Sequence, residues 1–337
     1  MLSKPLPPED LEQVLTLASE SFMALRGARI FLTGGTGFFG HWLLESLVHA
    51  NRAKSIDLQV TVLTRNAARF RTASPWIAEA PAVTLLEGDV RNFDLPATSH
   101  SHILHAATDS VGQQDEHSLA DEIIEGTRHV LHFAKQTEAR RLLYVSSGAI
   151  YGRGITDVTQ IAETYPGSPS PTSSAYDTAK KAAEDICLQS GIDSVLARCF
   201  AFVGPRLPLD AHFALGNFIG DAMAGRRIHI KGDGTPMRSY LYMSDLAAWL
   251  WTLLAQGQPS RAYNVGSDAA ISIAALAKLT AETLRPGLKI QIDGIAPSDT
   301  GSTTYVPSIE RARSELGLHV GVELREAIIK TAAWYRG

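Results

Sequence analysis

Eight residues near the start of the chain, Thr33-Gly34-Gly35-Thr36-Gly37-Phe38-Phe39-Gly40, restrict its fold more than any other stretch. They follow Arg29–Thr33 (RIFLT), a short apolar run that reads as a buried strand, and lead into a helical segment at His41–Ala50. A glycine-rich turn from strand into helix is where a dinucleotide pyrophosphate meets a helix N-terminus. Gly34 permits the tight turn, Gly37 lets phosphates approach the backbone, and Gly40 lets helix pack on strand. Thr36, Phe38 and Phe39 complete the set expected to line the cofactor. The spacing is G-x-x-G-x-x-G, and no Gly-Lys-Ser/Thr follows, which excludes a Walker loop.

The same alternation continues. Leu58–Thr64, Val83–Glu87, His102–His105, Arg141–Ser146 and Ser194–Phe200 read as strands, with helices at Asp121–Lys135 and Ala175–Gln189. This implies parallel βαβ units covered by helices on both faces: an α/β, doubly wound, Rossmann-type sheet. Beyond residue 200 prolines and glycines cluster. Helices follow at His212–Ala224, Asp245–Gln256, Ser272–Leu284 and Val322–Tyr335, with short strands at Ile228–Lys231, Ala262–Val265 and Lys289–Ile292. The expected organisation is a helical lead-in over 1–26, a dinucleotide-binding domain over 27–200 to which 238–265 returns, and a smaller α/β substrate-binding lobe over 201–337. The lead-in reads as one short amphipathic helix.

With 45% apolar and 20% charged residues the composition is that of a globular protein. A net charge of −4 supplies no basic field for nucleic acid or an anionic membrane. Cys187 and Cys199 are too few for a disulfide framework. No apolar stretch approaches a membrane span, the best being Leu246–Ala255, and the start of the chain does not resemble a signal peptide. A cytoplasmic protein is expected. The histidines at 100, 102 and 105 do not form a metal motif, because alternation along a strand sends neighbours to opposite faces. Glu184 and Asp193 read as surface residues.

The end of the second strand chooses between cofactors: a carboxylate there would bind the adenosine ribose, an arginine a 2′-phosphate. The strand ends Leu63-Thr64-Arg65 with no acid, so Arg65 either leans the site towards NADP over NAD or is a solvated charge. Asp89 is either an adenine contact or a turn aspartate. Tyr176 and Lys180, four apart on a helix, share a face. A cation beside a phenol favours the phenolate, which can take a hydroxyl proton while hydride leaves the same carbon. Ser147, at the C-terminal end of the fifth strand, faces the crevice where ligands bind in open α/β sheets, or is a simple turn serine.

Thr33–Gly40, Ser146–Gly152 and Tyr176–Lys180 together resemble the extended short-chain dehydrogenase/reductases, and more closely their NAD(P)-dependent nucleotide-sugar epimerase/dehydratase family. Arg198–Pro205 (RCFAFVGP), Gly232–Asp245 (GDGTPMRSYLYMSD) and Tyr263-Asn264-Val265-Gly266 are similar to later signatures, so the likeness spans roughly residues 28–335. It implies that Ser147, Tyr176 and Lys180 are catalytic. It implies that Arg238 grips the diphosphate of a nucleotide sugar, and that Asn217 and Asn264 contact the nucleotide or diphosphate. It also implies a homodimer formed through two helices of the cofactor domain.

The chain departs from the family pattern at Ala201 and Ile123, where asparagine is usual, and at Ser239, where aspartate is usual. Related 4,6-dehydratases carry Asp-Glu directly after the catalytic hydroxyl to move the C5 and C6 protons; here those positions are Gly148 and Ala149. The expectation is therefore an epimerase acting through a transient keto sugar. An NADP-dependent 4-ketoreductase is the alternative. A 4,6-dehydratase using Glu163 or His212, and a non-catalytic cofactor-binding regulator, stand further off.

Overall fold

The computed structural model describes residues 4–108, 116–167, 174–211, 213–295 and 302–337; His212 lies outside them. The chain divides into two compact units, the first made of residues 1–150, 171–198 and 247–263, the second of 151–170, 199–246 and 264–337.

The first unit is built on a seven-stranded sheet. Its strands are β1 (Arg29–Thr33), β2 (Gln59–Thr64), β3 (Val83–Glu87), β4 (His102–His105), β5 (Arg141–Ser147), β6 (Ser194–Cys199) and the segment Arg261–Val265. They lie in the order β3-β2-β1-β4-β5-β6, with Arg261–Val265 at the far edge. β1 pairs in parallel with β2 and β4, β2 with β3, and β4 with β5. This is the doubly wound Rossmann-type order, and the direction of winding reverses between β1 and β4. Such strands are covered on both faces and so carry apolar runs rather than alternation; Ile30, Phe31 and Leu32 are all buried. Phe31 stacks on Phe93 and packs tilted against Phe133, in a core that joins β5 to the helices Glu116–Gln136 and Ala175–Gln189. Elsewhere Trp251, from the buried helix Met243–Gln256, packs 5.4 Å from Phe22 and donates its indole N–H to Ser46 of the helix Phe38–Lys54. Among the described residues no helix is long and apolar enough to cross a membrane.

The lead-in is two helices, Pro8–Leu17 and Ser19–Ala24, not one. Ala18 separates them at φ −104°, ψ 20°. Glu184 is buried and Asp193 half-buried, and each is held by an arginine. Arg198 grips Glu184 through its Nε and Nη2, and Arg141 reaches Asp193 at 2.9 Å. These partners sit 14 and 52 residues away, so no local pattern announces them.

The second unit contains the helices Ala214–Ala224, Ile273–Leu284 and Leu324–Arg336. Ile228–Ile230 pairs in parallel with Ile290–Ile292. Met237–Arg238 lies between Ile271–Ser272, antiparallel, and Thr304–Tyr305, parallel.

Candidate active site

The glycine turn leaves β1 where the winding reverses. Gly34 holds φ +75°, and a Cβ there would come within 2.5 Å of the Ala106 carbonyl oxygen on the segment leaving β4. A Cβ on Gly40 would meet the Gly35 oxygen at 2.2 Å, so helix and turn touch at that point. Gly37 differs: its backbone is extended, and a Cβ would make only ordinary contact, 3.4 Å from the Gly34 oxygen. Among the described residues no packing demands glycine there; the cradle it leaves open suits a phosphate close to the backbone. The helix Phe38–Lys54 also begins at Gly37 without a side-chain cap, which leaves its positive end suited to an anion. The turn therefore fits a dinucleotide pyrophosphate.

Tyr176 and Lys180 lie on the helix Ala175–Gln189, whose start is held by a reciprocal capping box between Ser174 and Asp177. Lys180 is 3% exposed. Its Nζ donates to Val145 O at 3.0 Å and Thr108 Oγ1 at 2.8 Å, and lies 4.9 Å from the Tyr144 ring centre and 6.0 Å from that of Tyr176. Val145 is two residues before Ser147, so the strand that holds the ammonium also carries the serine. Ser147 Oγ accepts the Ala149 amide at 3.1 Å, which leaves its hydroxyl hydrogen to be donated elsewhere. Burial pushes the Tyr144 phenol well above its ordinary value, so it stays neutral beside Lys180.

Arg65 follows β2 and is exposed. Asp89 is bound up with Arg91, whose Nε and Nη2 donate to its two oxygens at 2.8 and 2.9 Å and whose amide donates to Oδ1. These bonds, with a smaller contribution from the Arg65 charge, hold the carboxyl below its ordinary value. Asp89 thus clasps Arg91 across the turn that follows β3.

The remaining expected site residues belong to the second unit. Arg238 is half-buried, its guanidinium 5.8 Å from the Tyr305 ring centre, with Nη1 donating to its neighbour's carbonyl, Met237 O. Burial draws its pKa below the usual value. Asn217 is half-buried on the helix Ala214–Ala224. Asn264 is wholly buried, and its side chain is taken up internally: Oδ1 accepts from Tyr151, and Nδ2 donates to Ile161 O and Ser308 O. It braces the segment after β5 against the C-terminal region, so the ligand contact expected of it gives way to a structural one. Glu163 is drawn into the same brace, accepting the Asn264 amide at 2.9 Å with Arg311 at 4.0 Å. Among the described residues no cluster of side chains could hold a metal ion.

The residues that residue-by-residue inspection missed are Thr33, His105, Thr108 and Thr127, which join the turn, β4 and Lys180 through buried hydrogen bonds. The only local sign was a polar residue at the end of each of two apolar strands.

Comparison with known proteins agrees with this geometry. The chain is 28% identical over 307 residues to UDP-glucuronic acid decarboxylase 6 of Arabidopsis thaliana, covering 89% of this chain and 86% of that one. UDP-glucose 4-epimerase of Thermotoga maritima, solved with UDP-glucose, superposes with a TM-score of 0.74 at 20% identity, over 91% and 98% of the two chains. The dTDP-glucose 4,6-dehydratase DesIV of Streptomyces venezuelae, solved with NAD, gives 0.76 at 22%, over 91% and 97%. The sequence profile of the NAD dependent epimerase/dehydratase family matches residues 30–266, more than two thirds of the chain, and the protein belongs to that family.

Proposed function

We propose that the protein is a nucleotide-sugar epimerase that oxidises a sugar hydroxyl, at C4 by preference, and reduces the resulting ketone from the opposite face. The observation that carries this reading is Ser147 followed by Gly148 and Ala149 beside a buried Lys180. The groups for removing and returning one hydroxyl proton are present, and Gly148 and Ala149 offer none for further proton transfers. A bound nicotinamide dinucleotide would supply the acceptor, and then the donor, of the hydride. Tyr176 takes the hydroxyl proton and later returns it. Lys180 favours the phenolate form of Tyr176 by its charge. Ser147 donates to the reacting oxygen. Arg238 provides a guanidinium fork for the diphosphate. Arg65, at the end of β2 where a ribose-binding carboxylate would select NAD, leans the adenosine end towards a 2′-phosphate. Two buried cysteines that form no disulfide fit a reducing, cytoplasmic setting.

Decarboxylation is the second reading, favoured by the curated relatives at 28% identity. A C4 ketone is β to a C6 carboxylate, so loss of carbon dioxide also needs no acid at residues 148 and 149. The experiment is to incubate the protein with UDP- and dTDP-sugars, with UDP-glucuronic acid and with a dTDP-4-keto sugar, with and without added NAD, NADP or NADPH. Interconversion of C4 epimers without net cofactor use supports the epimerase. Carbon dioxide release identifies the decarboxylase. Stoichiometric NADPH consumption on a 4-keto sugar identifies a reductase, and a 4-keto-6-deoxy product would overturn the reading of Gly148 and Ala149.

A further inference from the structure

Beneath the glycine turn lies a hydrogen-bond network that fixes the tautomer of one buried histidine. His105, at the end of β4, is 2% exposed. Its Nδ1 is 2.7 Å from Thr33 Oγ1 and its Nε2 3.1 Å from Thr127 Oγ1. The Thr127 hydroxyl donates its one hydrogen to Ile123 O at 2.6 Å, a helix carbonyl one turn back. Thr127 can therefore only accept from the ring, so Nε2 carries the hydrogen and Nδ1 is bare. The Thr33 hydroxyl then donates to Nδ1, which leaves its lone pairs for the amides of Ala106 and Ala107, at 3.2 and 3.0 Å. The opposite tautomer would set two lone pairs against each other at Thr127 and crowd three donors onto Thr33. Burial agrees, holding the imidazole neutral by pushing its pKa down to about 3, with the Lys180 charge acting in the same direction. Lys180 from the neighbouring helix and Tyr144 from β5, its ring 5.4 Å away, are the titratable groups around it; Thr33 and Thr127 are neutral.

The segment this network holds touches both halves of the cofactor site. Ala106 O is the atom that a Cβ on Gly34 would strike. Two residues on, Thr108 donates its own hydroxyl hydrogen to Ala107 O at 2.6 Å and so presents a lone pair to Lys180 Nζ. The bonds thus run without a break from the imidazole, through Thr33 and the amides of Ala106 and Ala107, to the lysine.

We infer that His105, as its neutral Nε2–H tautomer, is a positioning residue that couples the seat of the dinucleotide turn to the placement of the Lys180 ammonium. The inference rests on reading the turn and Lys180 as parts of one cofactor site. It is independent of which sugar is used, and its test needs no turnover.

The test uses the full chain as wild type, Thr127→Val and Thr127→Ser. Valine has the shape of threonine but offers Nε2–H no acceptor; serine keeps one. Two quantities are read: the affinity for NAD and NADP by calorimetry, and the ionisation midpoint of Tyr176 by ¹³C NMR of the tyrosine ring, its signal assigned by loss in Tyr176→Phe. Thr127→Val is expected to raise the midpoint by about half a pH unit or more. It should also weaken the better-bound dinucleotide roughly three- to tenfold. Thr127→Ser should match wild type. A histidine that only stabilises the fold would lower the melting temperature of Thr127→Val and leave both quantities alone, and that result overturns the inference. Should Thr127→Val not fold, Thr127→Ala is read for the same two quantities with the same outcomes deciding. An Nδ1–H form of His105 in wild type, seen from its ring nitrogens, also overturns the inference.

Discussion

Lys180 lies in a site almost closed to water, its amino group directed at Val145 O and Thr108 Oγ1 with the face of Tyr144 beside it. Held in this way it is fixed one helical turn from Tyr176. If Tyr176 moves the proton, Tyr176→Phe should lose roughly 10²–10⁴-fold in kcat while still binding dinucleotide. Turnover equal to wild type would remove the tyrosine from the chemistry. Arg238 bears on the substrate instead. A charge-assisted bond of about 1.5–3 kcal/mol predicts that Arg238→Ala binds a nucleotide sugar roughly ten- to a hundredfold more weakly, with dinucleotide affinity unchanged; equal loss of both would place the arginine elsewhere. Arg65→Ala should lower affinity for NADP more than for NAD in calorimetry. If NAD is the tighter ligand and the substitution changes neither, Arg65 is a bystander.

The turn and the helix Phe38–Lys54 allow a sharper test, since two of their glycines are required for different reasons. Gly40→Ala drives a methyl into the Gly35 backbone, so helix or turn must move; a loss on the order of 1–3 kcal/mol of stability is expected in thermal or urea melts. Gly37→Ala meets only ordinary contacts in a backbone open to alanine, so the fold should survive and dinucleotide affinity should fall, by about tenfold or more, since a methyl would occupy the phosphate cradle. Undiminished binding by Gly37→Ala would place the phosphates elsewhere. Elements of this length were legible in the sequence: β1, β3 and β4 have the bounds that their apolar runs imply, and Ala175–Gln189 begins after its capping serine. Pairs such as Phe202–Val203 and Met237–Arg238 were not, because two residues carry no period. The local pattern also could not show that Ala18 breaks the lead-in, that Asn264 is used up internally, or that Thr33 meets His105 across 72 residues. Composition and spacing describe neighbours along the chain, and these contacts are made by the crossovers between strands.

On the scale of the whole molecule, the buried neutral imidazole has a consequence for acid stability. His105 titrates near pH 3 in the fold and near its ordinary 6.5 when unfolded. Between those values the unfolded chain binds a proton that the folded chain does not, so stability rises with pH across the window and is lost as pH falls. At pH 5 the loss amounts to about 2 kcal/mol. His102, also drawn down by burial to about 4, adds to the fall in wild type, so the contribution of His105 is the difference: between pH 7 and 5, urea melts should lose roughly 2 kcal/mol less in His105→Gln than in wild type, and equal slopes would mean that the ring is not held neutral. The order in which the chain supplies the sheet has a different consequence. Arg261–Val265 pairs at the β6 edge but emerges some 60 residues after β6 has been made. During synthesis, therefore, β6 leaves the ribosome with an open row of amides and carbonyls, the kind of edge that captures strands from other chains. Nascent chains that end between residues 200 and 260 should be the ones that engage chaperones or aggregate, and release of the last 80 residues should close that vulnerability.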